Sequence, residues 1–317
     1  MADTNIEWTQ RPGTIGAVWN PTTGCDKISD GCTNCYALTM AKRLKAMGQA
    51  KYQNDGHPVT SGPGFALTTH PDELSTPLRW RKPRTVFVNS MSDLFHARVP
   101  REFVARVFAV MAATPQHTYQ VLTKRPERMA RMLTDECTCG AGHTPGVHLR
   151  SDMAWAATSH SPIYVPGLRS DALSGLWRGG WPLPNVWLGT SIESDGHAGR
   201  ADALAATPAA VRFISAEPLL GPLPSLDLTG IDWLIVGGES GPSSRPLDLG
   251  WVRELAAKAQ DSGAALFIKQ LGSVWARETS VGGELVARTD PKGGHWENWP
   301  SDLLVRDYPT ERAAVTA

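Results

Sequence analysis

The residues best suited to chemistry are three cysteines near the amino terminus. Cys25, Cys32 and Cys35 follow the spacing C-x6-C-x2-C within a stretch rich in glycine, aspartate, serine and asparagine. A C-x2-C pair directs two thiolates at one metal centre, and a third thiolate from the same loop completes the set. Because three protein ligands leave one coordination position open, zinc or an iron–sulfur cluster held here could also bind a substrate or cofactor. The spacing does not choose the metal, and three merely structural thiols are the alternative interpretation.

A second group of metal-binding residue types lies further along the chain. Cys137, Cys139, His143 and His148 follow the spacing C-x-C-x3-H-x4-H in a segment rich in glycine, threonine and proline. Two thiolates and two imidazoles form a ligand set found in structural zinc sites. Because the C-x-C spacing is tighter than usual zinc patterns, two interpretations stay open: a structural zinc, or a flexible insertion whose side chains bind no metal.

The elements that must position these groups show a repeated pattern. Short apolar runs that end in polar tips recur from residue 84 onward, at 85–88, 119–122, 186–189, 211–214, 233–236 and 265–268. Helical periodicity lies between several of them, most clearly at 101–113 and 251–262. Strands that alternate with helices predict an α/β fold with a parallel sheet. These units and the cysteine-bearing one predict a (β/α) barrel of the TIM type, complete or partial, with a doubly wound sheet as the alternative.

A barrel would gather the polar tips at one end. In (β/α) barrels the residues that follow the carboxyl ends of the strands line the active site. Glu217, Glu239 and Lys269 lie at three of these tips and are therefore candidates for catalysis. For any single tip, the solvated start of a surface loop is the alternative.

Length and composition describe an ordinary globular chain. The 317 residues suffice for one or two domains, and we expect a barrel domain at 1–275 and a C-terminal extension at 276–317. A Gly/His/Cys-containing loop region with little core content is expected as an insertion at about 134–180. The formal net charge of zero favours neither nucleic acid nor membrane, and no apolar run approaches the ~18 residues of a membrane span. Five cysteines, an odd number, do not suggest a secreted disulfide framework, so a cytoplasmic location without membrane contact is expected.

One region departs from this charge balance. Between residues 79 and 131 there are eleven lysines and arginines against three acids. A solvated surface is the default interpretation. The alternative is a phosphate-binding surface for nucleic acid, for which Lys124, Arg125 and Arg128 are the best placed because they follow a strand tip.

Together these motifs resemble a known family. The chain is similar to the phage- and actinobacteria-associated branch of the radical SAM superfamily, a branch described as a domain of unknown function. The resemblance covers most of residues 4–275. It is carried by the cysteine block and by the sequences at 6–9 (IEWT), 19–21 (WNP), 92–96 (SDLFH), 122–128 (LTKRPER), 185–189 (NVWLG), 215–220 (SAEPLL), 237–241 (GGESG) and 269–270 (KQ).

The resemblance implies a [4Fe–4S] cluster on Cys25, Cys32 and Cys35, with its fourth position bound by the amino and carboxylate groups of S-adenosylmethionine. Reductive cleavage would release methionine and a 5′-deoxyadenosyl radical, which abstracts hydrogen from a substrate. A flavodoxin- or ferredoxin-like protein would donate the electron. The sequence departs from the superfamily pattern in two places: the first cysteine gap has six residues instead of three, and Gly-Gly-Glu follows a late strand, at 237–239, instead of the second.

The resemblance also assigns binding roles by position. Ser90, Ser92 and Asp93 would take the methionine amine, and Ser191 and Glu193 would contact the ribose or carboxylate. The backbone of Gly237 and Gly238 would contact adenine.

Three functions follow from these observations. The first is a radical enzyme that acts on a nucleic-acid base or nucleotide. The second is a non-catalytic zinc-binding protein that binds nucleic acid or a partner protein. The third is a barrel hydrolase that uses acid pairs such as Glu217 and Glu239 and does not need the cysteines.

Overall fold

The computed structural model describes residues 3–178 and 180–310. One sheet contains seven parallel strands in chain order. The strands are β1 Ile15–Trp19, β2 Arg84–Val88, β3 Thr118–Thr123, β4 Val186–Ser191, β5 Val211–Ala216, β6 Trp233–Gly237 and β7 Ala265–Gln270. The six predicted apolar runs lie within β2 to β7. Two short antiparallel pairs lie outside this sheet, Thr22–Thr23 with Thr68–Thr69 and Ser280–Val281 with Glu284–Leu285.

Helices connect all neighbouring strands of this sheet except β5 and β6, and one further helix follows β7. The helices are α1 Tyr36–Ala46, α2 Arg101–Ala112, α3 Pro126–Thr134, α4 Val147–Ala156, α5 Arg200–Ala205, α6 Leu249–Ser262 and α7 Gly272–Glu278. The two helical patterns noted in the sequence, 101–113 and 251–262, correspond to α2 and α6. Helix α6 begins after Asp248, whose side chain accepts a hydrogen bond from the Gly250 amide, and ends at Gly263 in the left-handed conformation.

The two faces of the sheet are buried by different side chains. Helices cover one face with an aliphatic core, to which α2 and the neighbouring strands contribute many valines and leucines. The other face carries a cluster of aromatic rings from the strands and from the amino-terminal segment. Trp8 lies at its centre, with ring centroids 4.6 Å from Phe87, 5.9 Å from Phe213 and 6.3 Å from Trp233. The buried indole fills the curled face where a closed barrel would have its interior.

The predicted barrel is wrong, because the seven-stranded sheet is curled but open. Its order ends at β1 on one side and at β7 on the other. Both edges are covered by chain termini: Asp3 bridges to Ala17 of β1, and Arg306 bridges to Phe267 of β7. These segments pair with backbone N–H and C=O groups of the edge strands, which would otherwise be available to pair with a strand of another chain. The doubly wound alternative also fails, because its strand order would reverse at a switch point, whereas the order here is sequential.

The predicted insertion is more ordered than the sequence suggested. Residues 134–180 contain α4, which packs against α2 and buries Leu149 and Met153 completely. The segment therefore contributes to the core instead of forming only a surface loop. The domain boundaries proposed above stay predictions, and residues 311–317 of the expected extension lie outside the described part of the chain. Among the described helices, none has the length and apolar character needed to cross a membrane.

Candidate functional site

A large cavity lies at the carboxyl ends of the strands. Its volume is about 630 Å³, within the usual range for a small-molecule site. Cys25, Cys32 and Cys35 line it, together with residues from the tips of β2 to β7. The sequential parallel order brings these tips to one edge, although the sheet does not close.

The cysteine loop, residues 25–35, is fixed over this edge by residues at three strand tips. The Ser29 hydroxyl donates to Glu193 after β4, and the Asn34 amide donates to Glu239 after β6 at 3.0 Å. The Tyr36 hydroxyl, at the start of α1, donates to the backbone carbonyl of Ser90 after β2. Polar tips that the sequence marked as candidates for ligand binding or catalysis therefore hold the loop that carries the thiols.

Glu193 is the most deeply buried of these anchors. Its side chain is 0% exposed and accepts from Lys124 Nζ at 2.7 Å and from Arg200 Nη1 at 2.9 Å, in addition to Ser29. Burial alone would raise the pKa of Glu193, but the Lys124 ammonium and the hydrogen bonds hold it below its ordinary value. A β-carbon on Gly31 would lie 2.6 Å from Glu193 Oε1, so only glycine lets the loop approach this carboxylate.

Glu239 anchors the other end of the loop through Arg245. The guanidinium donates to both carboxylate oxygens, at 2.5 Å and 3.0 Å, and to the backbone carbonyl of Asp30 at 3.1 Å. Burial would raise the pKa of Glu239, whereas the hydrogen bonds from Arg245 and Asn34 lower it, and the lowering prevails. With its oxygens occupied in this way, Glu239 is an anchor and is poorly placed to act as a general base.

Asp93 and Arg125 form a third buried contact with the loop. Asp93 accepts from Thr123 Oγ1 at 2.7 Å and from Arg125 Nη1 at 2.8 Å, which joins the tips of β2 and β3. The same Arg125 nitrogen lies 3.5 Å from Cys25 Sγ, and its second terminal nitrogen donates to the Asp26 carbonyl at 3.3 Å. The expected role of Asp93, binding an amine, would require it to give up these donors.

The spacing of the three thiols bears on the kind of metal centre that they could hold. Tetrahedral zinc with Zn–S bonds near 2.3 Å would hold thiolates about 3.8 Å apart. Among the described residues, Cys25, Cys32 and Cys35 do not form a group whose ligand atoms all lie within 4.8 Å of one another. A [4Fe–4S] cluster separates its thiolates more widely, because each binds a different iron. Thiols spaced more widely than one tetrahedral ion requires are compatible with a cluster, and the identity of the metal stays a prediction.

Two of the thiols, Cys25 and Cys35, are held in the protonated form at neutral pH. Burial, together with the nearby Asp93 carboxylate, raises the pKa of Cys25 to about 12, and burial also raises the pKa of Cys35. Thiolates are the metal-binding form, so loading of a metal here must release protons.

In the part of the chain that the structure describes, one charged pair on the cavity wall forms no hydrogen bond or ion pair with the cysteine loop. Lys269 Nζ donates to Glu217 Oε1 at 2.5 Å, and both side chains are mostly buried. Ser191 and Ser215, also buried, line the same wall, and within the described residues no side-chain hydrogen bond occupies their hydroxyls. This part of the wall is consequently free to contact a bound molecule.

The remaining predicted positions serve mainly to support the structure. Ser90 and Ser92 bind Asn20 and Thr22, which fixes the chain after β1. A β-carbon on Gly237 would come 3.2 Å from Glu217 Cγ, and one on Gly238 would lie 2.5 Å from the Leu271 carbonyl. Ser90, Ser92, Asp93, Ser191 and Gly238 line the cavity, whereas Glu193 and Gly237 are absent from the described residues that line it.

The three cations expected to bind nucleic acid point inward. Lys124 and Arg125 are held by Glu193 and Asp93, and Arg128 donates to the backbone carbonyls of His96 and Val99, both at 2.8 Å. Nucleic-acid binding stays a prediction, and these contacts give it no surface at these three residues.

The second cysteine group can hold a metal ion. The ligand atoms of Cys137, Cys139, His143 and His148 all lie within 4.8 Å of one another. The two sulfurs are 3.0 Å apart, and His143 Nδ1 lies 3.5 Å and 3.4 Å from them. Hydrogen bonds from Cys139 and His148 lower the pKa of Cys137 to about 5, so a thiolate is available at neutral pH. The structure does not identify the ion.

Sequence reasoning missed several residues that position the loop. Ser29, Asn34, Arg200 and Arg245 are not part of any metal or catalytic motif, and their partners lie far away in the chain. The only local signal was that the cysteine stretch contains polar residues and a glycine in addition to its thiols.

Comparison with known proteins corrects the resemblance stated above. No curated protein and no solved structure matches the chain. The family model that matches, over residues 3–300, is described as a protein of unknown function, and nothing in that description links it to radical SAM enzymes. The assignment to that superfamily is therefore wrong, although the description as a domain of unknown function agrees. The chain belongs to the family of proteins of unknown function named DUF5131.

Proposed function

We propose that the chain is an iron–sulfur enzyme that holds a [4Fe–4S] cluster on Cys25, Cys32 and Cys35. The observation that carries this proposal is that three thiols on one anchored loop line a single cavity of about 630 Å³. Three thiolates leave the fourth iron open to a ligand from that cavity. We further propose S-adenosylmethionine as this ligand, because its amino and carboxylate groups can chelate one iron and the cavity is large enough for it. When bound together, the cluster and S-adenosylmethionine would supply a 5′-deoxyadenosyl radical through reductive cleavage of S-adenosylmethionine, as in other cofactor-based radical chemistry.

The chain's own contribution is to position the thiols and to exclude water. Buried Glu193 and Glu239 restrain the loop at Ser29 and at Asn34. Ile28, Tyr36 and Met40 expose 43%, 53% and 40% of their surfaces and line the cavity. A ligand that covers this apolar rim would displace water from the cavity, which protects reactive species from side reactions.

The substrate would contact the wall that the loop leaves free. Glu217 and Lys269 face the cavity as a pair, and the hydroxyls of Ser191 and Ser215 lie on the same wall. These groups offer both donors and acceptors to a polar molecule. They are the residues we assign to substrate positioning.

The assay for this function is cleavage of S-adenosylmethionine. Protein purified and reconstituted without oxygen is mixed with S-adenosylmethionine and dithionite, and 5′-deoxyadenosine is measured by chromatography. The proposal predicts 5′-deoxyadenosine from the wild type and none from Cys32→Ala, while Cys139→Ala, outside the cavity, keeps the activity. Absence of the product from wild-type protein that contains its cluster would contradict the choice of co-substrate.

For the second metal site we propose structural zinc on Cys137, Cys139, His143 and His148. Two thiolates and two imidazoles suit zinc, and their ligand atoms all lie within 4.8 Å of one another. The ion would close the segment between α3 and α4. Zinc analysis of wild type and Cys139→Ala tests this: one zinc lost with the substitution is expected, and a wild type that carries no zinc after growth with the metal would contradict it. If zinc were found at both cysteine groups and iron at neither, a non-catalytic zinc-binding protein would be the better account.

A further inference from the structure

The contact between Arg125 and Cys25 suggests a function that the sequence did not assign to this arginine. In the sequence, Arg125 is a candidate for phosphate binding, with a solvated surface as the default interpretation. Instead its side chain is only 14% exposed. Its guanidinium donates to three acceptors: the Asp93 carboxylate at 2.8 Å, the Asp26 carbonyl at 3.3 Å and the Cys25 sulfur at 3.5 Å. A side chain with these contacts has little freedom to reach a ligand outside.

The backbone around Arg125 fixes this orientation. Its amide donates to Thr123 Oγ1 at 2.9 Å, and the Lys124 amide donates to Asp93 Oδ2 at 3.2 Å. Helix α3 begins at the next residue, Pro126. The guanidinium is thus held from its own backbone and from the tip of β2, so its donor to Cys25 is directed by two neighbouring strands.

Such a donor has a direct physical effect on a cluster bound by the same sulfur. Hydrogen bonds to the ligand sulfurs and nearby positive charge stabilise the more negative, reduced state of an iron–sulfur cluster, and low solvent exposure strengthens both effects. Asp93 acts in the opposite direction, because its carboxylate lies beside the same guanidinium and partly offsets its charge.

We propose that Arg125 sets the reduction potential of the cluster through its hydrogen bond to Cys25, with Asp93 as the opposing charge. This inference rests on the proposed cluster. It makes Arg125 a positioning residue for electron transfer into the site, and it explains why a buried ion pair lies against one of the three thiols.

The test is a redox titration of the reconstituted protein, followed by electron paramagnetic resonance, with iron content measured on the same samples. Arg125→Gln removes the charge. At a given potential we expect a roughly tenfold lower ratio of reduced to oxidised cluster, a shift of about 59 mV to more negative values for one electron. Asp93→Asn leaves the arginine unopposed and should shift the potential in the positive direction. Arg98→Gln is the matched control, because that arginine bonds Asp26 at 2.9 Å but its side chain is 61% exposed and screened by solvent.

The outcomes separate this inference from the proposed function. A purely structural role for Arg125 would lower the iron content of the variant and leave the potential of the loaded fraction unchanged, which would overturn the inference alone. The inference is also overturned if Arg125→Gln shifts the reduction potential no more than Arg98→Gln does. If Arg125→Gln fails to fold, the sign of the shift in Asp93→Asn decides, and a negative or absent shift overturns the inference. A wild type that binds no iron would contradict the proposed function itself.

Discussion

Replacing Glu193 by glutamine tests the anchoring of the cysteine loop. The substitution keeps the shape but removes the charge that Lys124 and Arg200 share, and both partners lie near the buried carboxylate with exposures of 20% and 9%. Breaking a buried ion pair by neutralising one partner costs about 3–5 kcal/mol, since the remaining charge is left uncompensated. Glutamine can still accept one hydrogen bond, and Lys124 retains some solvent contact. We therefore expect the free energy of unfolding to fall by about 3 kcal/mol, at the lower end of this range.

Urea denaturation of the protein without metal gives the first measurement. With a slope of about 3 kcal/mol/M, the expected loss lowers the unfolding midpoint by roughly 1 M. Asp302→Asn serves as the control, because the Arg253–Asp302 pair has the same ionic chemistry on the surface, with exposures of 49% and 52%. It should leave the midpoint unchanged.

The pH dependence provides a second measurement with a definite sign. The pKa of Glu193 is held below its ordinary value in the folded protein. Its contribution to stability is therefore fully present above the unfolded pKa of about 4.3 and is lost as the pH falls toward the folded value. The difference between wild type and Glu193→Gln should be constant near neutral pH and should shrink below about pH 4. Equal midpoints at pH 7, or a difference that grows in acid, would refute the assignment of Glu193 as a charged anchor.

Two further predictions concern the same loop and its thiols. Gly31→Ala places a β-carbon 2.6 Å from Glu193 Oε1, so it should reduce iron loading several-fold, while Gly196→Ala, with nothing within 4 Å, should load normally; equal iron content in both variants would show that the close approach is not needed. In metal-free protein at pH 7, iodoacetamide should alkylate Cys137, whose pKa is lowered to about 5, much faster than Cys25, whose pKa is raised to about 12. Peptide mass spectrometry measures both rates, and faster modification of Cys25 would contradict this order.

Local patterns in the sequence were sufficient to predict the strands and their direction. The apolar run at 211–214 lies within β5 Val211–Ala216, and the run at 265–268 lies within β7 Ala265–Gln270. Strands of a parallel sheet are buried on both faces, which makes such runs easy to recognise. Whether the sheet closes into a barrel could not be predicted in the same way, because a strand at an open edge and a strand in a barrel have the same local composition. The covering of β7 by Arg306 depends on a contact across 39 positions of the chain, counted from Phe267.

The candidate site, like the fold, could be predicted from the sequence only in part. The sequence identified the cysteines and the polar tips, but it could not show which tips bind the loop and which face the cavity. Glu193 and Glu217 look alike as acids after strands. Among the described residues, however, Arg200 and Lys124 pair with the first, while only Lys269 pairs with the second. These differences arise from tertiary partners, which no spacing rule within a single segment reveals.

The measurement that tests the central claim most directly is metal analysis of anaerobically reconstituted protein. Iron, acid-labile sulfide and zinc are determined per chain for wild type, Cys32→Ala and Cys139→Ala. The account predicts about four irons and four sulfides in the wild type and in Cys139→Ala, and their loss in Cys32→Ala. Zinc in place of iron at Cys25, Cys32 and Cys35, or iron content that is independent of Cys32, would contradict it.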